Sequence, residues 1–137
     1  MTDERYAQEI AVAADAMVRV FGSNEIDGYF AAFHPDATFI FYNAPVRLES
    51  RDEYRAERER WEREDGFRIV GCTSYDQKIQ IFGGVGVFSH RVVTRLGSNS
   101  GEETVYERET IVFERQQDGT WLGVHEHLSE DPRGAQH

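Results

Sequence analysis

Apolar residues recur at helical spacing through the first third of the chain and at alternate positions through its second half. Ile10, Ala14, Met17 and Phe21 share one helical stripe. Thr2-Asp3-Glu4 before them offers a cap acceptor and negative charge for the first turn, and Gly22 closes the segment. The pattern predicts a long amphipathic helix. Ser23-Asn24-Glu25 opens a second helix, whose Ile26, Phe30 and Phe33 continue the stripe until His34-Pro35-Asp36 stops it. His34 is expected to cap its last carbonyls, and a short strand, Thr38 to Tyr42, follows. Pro45 breaks that strand, and Ser50-Arg51-Asp52-Glu53 has the form of a capping box for a third helix to about Glu64, with Gly66 just beyond. Tyr54 and Trp61 are its chief apolar residues, so it is expected to face solvent as a flap carrying two aromatics.

From Phe67 the period becomes two. Strands are predicted near 67–81, 85–96, 103–115 and 120–128, with turns at Gly83-Gly84, Gly97 to Gly101 and Asp118-Gly119. Helices first and consecutive hairpins afterwards make an α+β arrangement: three N-terminal helices packed on a strongly curved antiparallel sheet, with a cone between them for a ligand. One domain over 1–129 is expected, and a disordered tail over 130–137, where Pro132 and Gly134 fall.

The Asp118-Gly119 hairpin sets the register of the last two strands. Pairing Arg115 with Thr120 places Phe113 opposite Leu122, Ile111 opposite Val124 and Glu109 opposite Glu126. Leu122, Val124, Glu126 and Leu128 then share one face, and Trp121, Gly123, His125 and His127 the other. The apolar pairs match, whereas two opposed glutamates are destabilising unless something compensates. Pairing Leu96 with Glu103 in the preceding hairpin places His90 opposite Glu109 and Phe88 opposite Ile111. A two-residue slip would instead set Phe88 opposite Glu109.

His90, Glu109 and Glu126 are therefore the candidate catalytic residues. Two nearby carboxylates on an apolar face cannot both ionise freely, so one pKa is expected to rise and the imidazole to be held cationic. Such groups give and take protons near neutral pH. The alternative is that the glutamates reach the solvated mouth of the cone, or that His90 merely neutralises them. Tyr42, Trp61 and Phe88 are expected to shape the pocket, and Ile111, Phe113, Val124 and Leu128 to flank it.

Other chemistries find less support. His125 and His127 share a face, but Thr110 and Arg108 oppose them and no third ligand is evident, so no metal is expected. Cys72 has no obvious base beside it, and the single cysteine fits a reducing compartment. Gly83-Gly84-Val85-Gly86 lies between strands rather than before a helix, and no dinucleotide fingerprint is present, so no cofactor is expected. The net charge of -10 argues against nucleic acid. Without a visible leader or membrane-length apolar run, a cytoplasmic protein is expected.

Phe33-His34-Pro35-Asp36-Ala37-Thr38-Phe39 after the second helix, and Asp118-Gly119-Thr120-Trp121 leading to His125-Glu126-His127-Leu128-Ser129, resemble the nuclear transport factor 2-like superfamily. The SnoaL-like branch and the calmodulin-dependent kinase association domain look most similar, over nearly the whole chain. The resemblance implies the cone-shaped fold but not a reaction, since the superfamily includes isomerases, cyclases, dehydratases, epoxide hydrolases and non-catalytic association domains. Ketosteroid isomerases carry a tyrosine and two acids where this chain has Met17, Phe41 (or Asn43) and Ile111, so classical steroid isomerisation is not expected. The association domain's pocket arginines correspond to Val92, Ile111 and Leu128, which makes the pocket apolar there. The leading expectation is a small cofactor-independent enzyme moving protons on a hydrophobic small molecule, of isomerase, cyclase, dehydratase or hydrolase type. The rival is a non-catalytic ligand-binding or oligomerisation domain, a homodimer built on the Trp121, His125 and His127 face.

Overall fold

A computed structural model describes residues 1–134. Its elements run α1 (Thr2–Gly22), α2 (Ile26–Ala31), β1 (Phe33–Phe41), α3 (Arg51–Asp65), β2 (Arg68–Phe82), β3 (Val85–Ser98), β4 (Gly101–Arg115) and β5 (Trp121–Glu130). The strands form one curved five-stranded sheet in the order β1-β5-β4-β3-β2, with the helices packed on its inner face. β2 to β5 pair antiparallel, as short hairpin connections require, but β1 lies parallel to β5. That corrects the expected all-antiparallel sheet: β1 and β5 are joined by the rest of the chain and not by a turn.

The helical stripe is where the sequence puts it. Ile10, Ala14 and Met17 are buried, with Phe21 packed beside them. The Ser50 side chain accepts the Glu53 N–H at 3.1 Å, and Gly66, at φ 65°, takes the left-handed conformation that ends α3. Among the described residues no helix is long and apolar enough to cross a membrane.

His34-Pro35-Asp36 lies within β1, and does not stop α2. α2 already ends at Ala31, and the β1–β5 register shifts between Phe33 and Thr38, which tolerates a proline on an edge strand. His34 caps no carbonyl of α2; its Nδ1 accepts the Asp36 N–H at 3.0 Å.

A bulge in β5 overturns the expected pairing of the last hairpin. Phe113 faces Gly123 and Val112 faces His125, which leaves Val124 as the extra residue. Side-chain parity inverts there: Trp121 and Gly123 point inward before the bulge, Glu126 and Leu128 after it. Gly123 permits this because a Cβ there would lie 2.7 Å from the Phe33 ring. Trp121 is consequently buried rather than on an outer face, and its Nε1 donates to Glu9 at 2.8 Å. Residues 130 to 134 are also ordered where a tail was expected. β5 includes Glu130, and buried Asp131 accepts from Arg91 at 2.6 Å. The rest of that expected tail, 135–137, lies outside the described residues.

Candidate functional site

The β3–β4 hairpin has the register its turn predicts, Leu96 facing Glu103 and His90 facing Glu109. His90 Nε2 and Glu109 Oε1 are 2.7 Å apart. Across β5 the expected opposition fails, because the bulge places Glu126 opposite Ile111 and Glu109 opposite Leu128. The two glutamates are therefore diagonal neighbours on the inner face, a spacing long side chains can bridge, and they hydrogen-bond each other.

Further hydrogen bonds extend this pair in both directions. On one side, Ser74 Oγ lies 2.5 Å from His90 Nδ1, and Gln77 Nε2 donates to Ser74 at 2.9 Å. His90 lies between Ser89 and Arg91, which pair with Lys78 and Tyr75, so it faces a second bulge, at Asp76-Gln77 of β2. On the other side, Tyr29 of α2 donates to Glu126 Oε1 at 2.9 Å, with the Tyr54 hydroxyl 3.2 Å beyond.

Burial decides where the protons reside. It pushes His90 down to about 4, outweighing the opposite pull that Glu126 exerts in its ionised form. Despite its ion-pair distance from Glu109 the imidazole is thus neutral, which corrects the expected imidazolium: 4 % exposure costs a cation more than the neighbouring charge returns. Burial and the nearby Glu109 raise Glu126 well above the ordinary carboxyl value, and burial raises Glu109 also. Burial and mutual repulsion thus favour a pair that shares one proton, with the stronger rise at Glu126. The hydrogen-bond network assigns Nε2–H of His90 as a donor to Glu109 and Nδ1 as an acceptor from Ser74.

These groups line a cavity of about 220 Å³ between the sheet and the helices, below the roughly 300–1,000 Å³ of drug-sized ligand sites, so it suits a compact molecule. Its apolar wall includes Met17, Phe21, Phe67, Val92 and Leu96. Trp61, Ile111 and Leu128 also line it. Four other expected pocket residues lie elsewhere. Phe88 and Phe113 are fully buried in the core, Phe88 packing its ring 4.5 Å from that of His90. Val124 is the bulge residue, and Tyr42 is 42 % exposed, donating to Glu107 at 2.7 Å.

The sequence reading passed over Tyr29, Arg58, Ser74 and Glu107, and placed Tyr54 only on a solvent-facing flap. Arg58 had a visible signal: it falls between Tyr54 and Trp61 at steps of four and three, on the one stripe of α3 that carries aromatics. Glu107 shares strand parity with Glu109 and was equally accessible. Cys72 also lines the cavity, but burial pushes its thiol up to about 12, so it is a poor nucleophile at neutral pH.

His125 and His127 stand on the outer face, ring centroids 6.1 Å apart, opposite Val112 and Thr110. His125 Nδ1 and Thr38 Oγ1 are 2.8 Å apart. Among the described residues no three histidine, cysteine or acidic side chains gather as a metal site.

A SnoaL-like domain model matches residues 10–132. The chain belongs to the SnoaL-like family. No curated protein matches it. Three similar solved structures are distant in sequence. One from Catenulispora acidiphila, in complex with S-DNPA, is 13 % identical with a TM-score of 0.77, over 95 % of this chain and 96 % of that one. A ketosteroid isomerase-like protein from Erwinia carotovora atroseptica is 14 % identical with a TM-score of 0.75, over 90 % and 95 %. The S. rosetta CaMKII hub is 19 % identical with a TM-score of 0.72, over 91 % and 96 %. At these identities the likeness is one of fold, within the nuclear transport factor 2-like superfamily.

Proposed function

We propose that this SnoaL-like domain is a small cofactor-independent enzyme that transfers protons on a hydrophobic small molecule held in the cavity, in an isomerase, cyclase, dehydratase or hydrolase type of reaction. The observation that carries the reading is the buried Glu109–Glu126 pair, hydrogen-bonded to His90 and Tyr29 and open to an apolar cavity. Two carboxyls sharing one proton provide a base and an acid side by side. Glu109, the ionised partner, takes a proton from substrate carbon or oxygen. Glu126 gives its proton to a carbonyl or leaving oxygen where charge develops. His90 N–H and Tyr29 O–H hold the two carboxyls in place from opposite sides.

General acid–base catalysis of this kind is worth about 10²–10⁴-fold. The test is exchange of carbon-bound hydrogen in a panel of small apolar ketones in D2O, read by mass spectrometry. Wild type is expected to accelerate exchange for at least one of them, and Glu109→Gln to lose at least about 10²-fold of that acceleration. Equal exchange by the two proteins would overturn the reading.

A second reading, a non-catalytic ligand-binding domain that associates through the outer face of its sheet, draws on exposed Arg108 and His127 and half-buried His125 and Ser129, which border one hollow there. Trp121 is no part of such a face. Under this reading sedimentation finds a dimer at micromolar concentration and no ketone exchanges faster than in buffer.

A further inference from the structure

Arg58 is among the most buried side chains of the protein, 1 % exposed, and it lines the same cavity. A fully buried guanidinium is costly unless each of its donors is matched and its charge is balanced. Here the first condition is not met, and the second is met only by a partly exposed carboxylate. One Nη2–H donates to Asn24 Oδ1 at 2.6 Å, and that oxygen also accepts the Ile69 N–H at 3.0 Å, so a neutral amide holds the arginine in position. Asn24 has φ 59°, a left-handed conformation that asparagine tolerates better than most residues, which keeps the amide fixed between α1 and α2. The face of the Phe67 ring lies 4.8 Å from the guanidinium carbon. Glu62, the nearest carboxylate, remains 3.5 Å from Nε and is itself 39 % exposed. Nε has no hydrogen-bond partner.

The cavity therefore has two polar ends separated by apolar wall. β3 runs past both: His90 lies beside the carboxyl pair, whereas Leu96, six residues further along the strand, faces Ile69, whose N–H shares Asn24 Oδ1 with Arg58. The carboxyl end already holds its own proton donors and acceptors in mutual contact. The Arg58 end has an unused donor and a charge offset only by the partly exposed Glu62 carboxylate.

We propose that Arg58 binds the carboxylate of the ligand, so that the substrate class is a compact apolar carboxylic acid whose hydrocarbon part lies between Arg58 and the Glu109–Glu126 pair. Val92, Leu96 and Trp61 contact the hydrocarbon. The planar guanidinium suits a carboxylate better than an ammonium would, and hydrogen bonds between charged groups are about twice as strong as neutral ones. This substrate class rests on the acid–base reading for its reaction, but Arg58 makes no contact with the carboxyl pair and its binding role is measurable without turnover.

The experiment is titration of the full chain with benzoate, 2-naphthoate and 4-phenylbutyrate and with their primary amides, followed by Trp61 emission and by calorimetry. Wild type is expected to prefer at least one acid over its amide by about tenfold or more, as one charged hydrogen bond provides. Arg58→Met should abolish that preference and leave amide affinity within about threefold, and Arg58→Lys should keep part of it. Should Arg58→Met not fold, Glu62→Gln serves instead: removing the carboxylate that pairs with Nε should tighten acid binding while amide binding stays unchanged. Glu109→Gln should keep the acid preference, so loss of catalysis and loss of the anchor register separately. Absence of any acid preference in wild type, or the same preference in Arg58→Met, overturns the assignment.

Discussion

The Tyr29 hydroxyl donates a 2.9 Å hydrogen bond to Glu126, although the two residues lie 97 positions apart in the chain. It connects the short helix α2 to the strand that carries the protonated carboxyl, and it does so in the buried core. Of the contacts acting on Glu126, this one favours ionisation, against burial and against Glu109. Tyr29→Phe should therefore raise the Glu126 titration midpoint further, as followed by carboxyl-carbon NMR. The variant should also lose about 1–3 kcal/mol of stability, the cost of leaving a buried acceptor unpaired. A midpoint that stayed put would mean that the hydroxyl does not govern the proton on Glu126.

Ser74 has a corresponding role at the other end. With its O–H donating to His90 Nδ1, the imidazole proton is confined to Nε2, directed at Glu109. Ser74→Ala removes that constraint. The wild-type His90 ring nitrogens should give the two well-separated nitrogen-15 shifts of a single neutral tautomer at pH 7, and the variant should give averaged shifts. Averaged shifts in wild type would contradict the assignment of donor and acceptor.

How much of this was legible in the sequence differs from element to element. The α1 stripe and the β3–β4 register could be read, because each depends on neighbours a few residues away: Ile10 to Phe21 on one helix, Leu96 to Glu103 across one turn. Glu109 and His90 followed from that register. The placement of Glu126 did not, since the bulge at Val124 arises where Gly123 meets Phe33, a contact between the two ends of the chain that no local pattern announces. The consequence was a wrong pairing for Glu126, and a wrong face for Trp121. Arg58 was hidden for a different reason. Its charge matches the polar character of α3, and only its spacing from Tyr54 and Trp61 marks it as inward.

The bulge itself can be tested at Gly123. A methyl group there would meet Phe33 Cδ1 at 2.7 Å and Cε1 at 2.8 Å, and the ring is fully buried with no room to retreat. Gly123→Ala should destabilise by about 1–3 kcal/mol, as overpacked cores do, measured by urea unfolding. If the strand instead relieves the clash by sliding, Glu126 leaves the cavity. Its carboxyl midpoint would then return towards 4.5, so NMR separates the two outcomes.

The buried acid and the buried base should produce opposing dependences of stability on pH. Glu126 titrates higher folded than unfolded, from an ordinary carboxyl value of 4.5, so its stabilising contribution is complete below that value and is lost as pH rises through the folded midpoint. His90 titrates lower folded, about 4 against 6.5, so its contribution is complete above 6.5 and is lost as pH falls towards 4. Between those limits the two trends offset, each with a slope of at most about 1.4 kcal/mol per pH unit. Removing one group exposes the other. Relative to wild type, Glu126→Gln should gain stability progressively as pH rises above 4.5, and His90→Asn should gain it as pH falls below 6.5. Urea unfolding at a series of pH values reads both differences. Curves parallel to wild type for both variants would mean that neither group changes its proton affinity on folding, and the single shared proton between Glu109 and Glu126 would have no support.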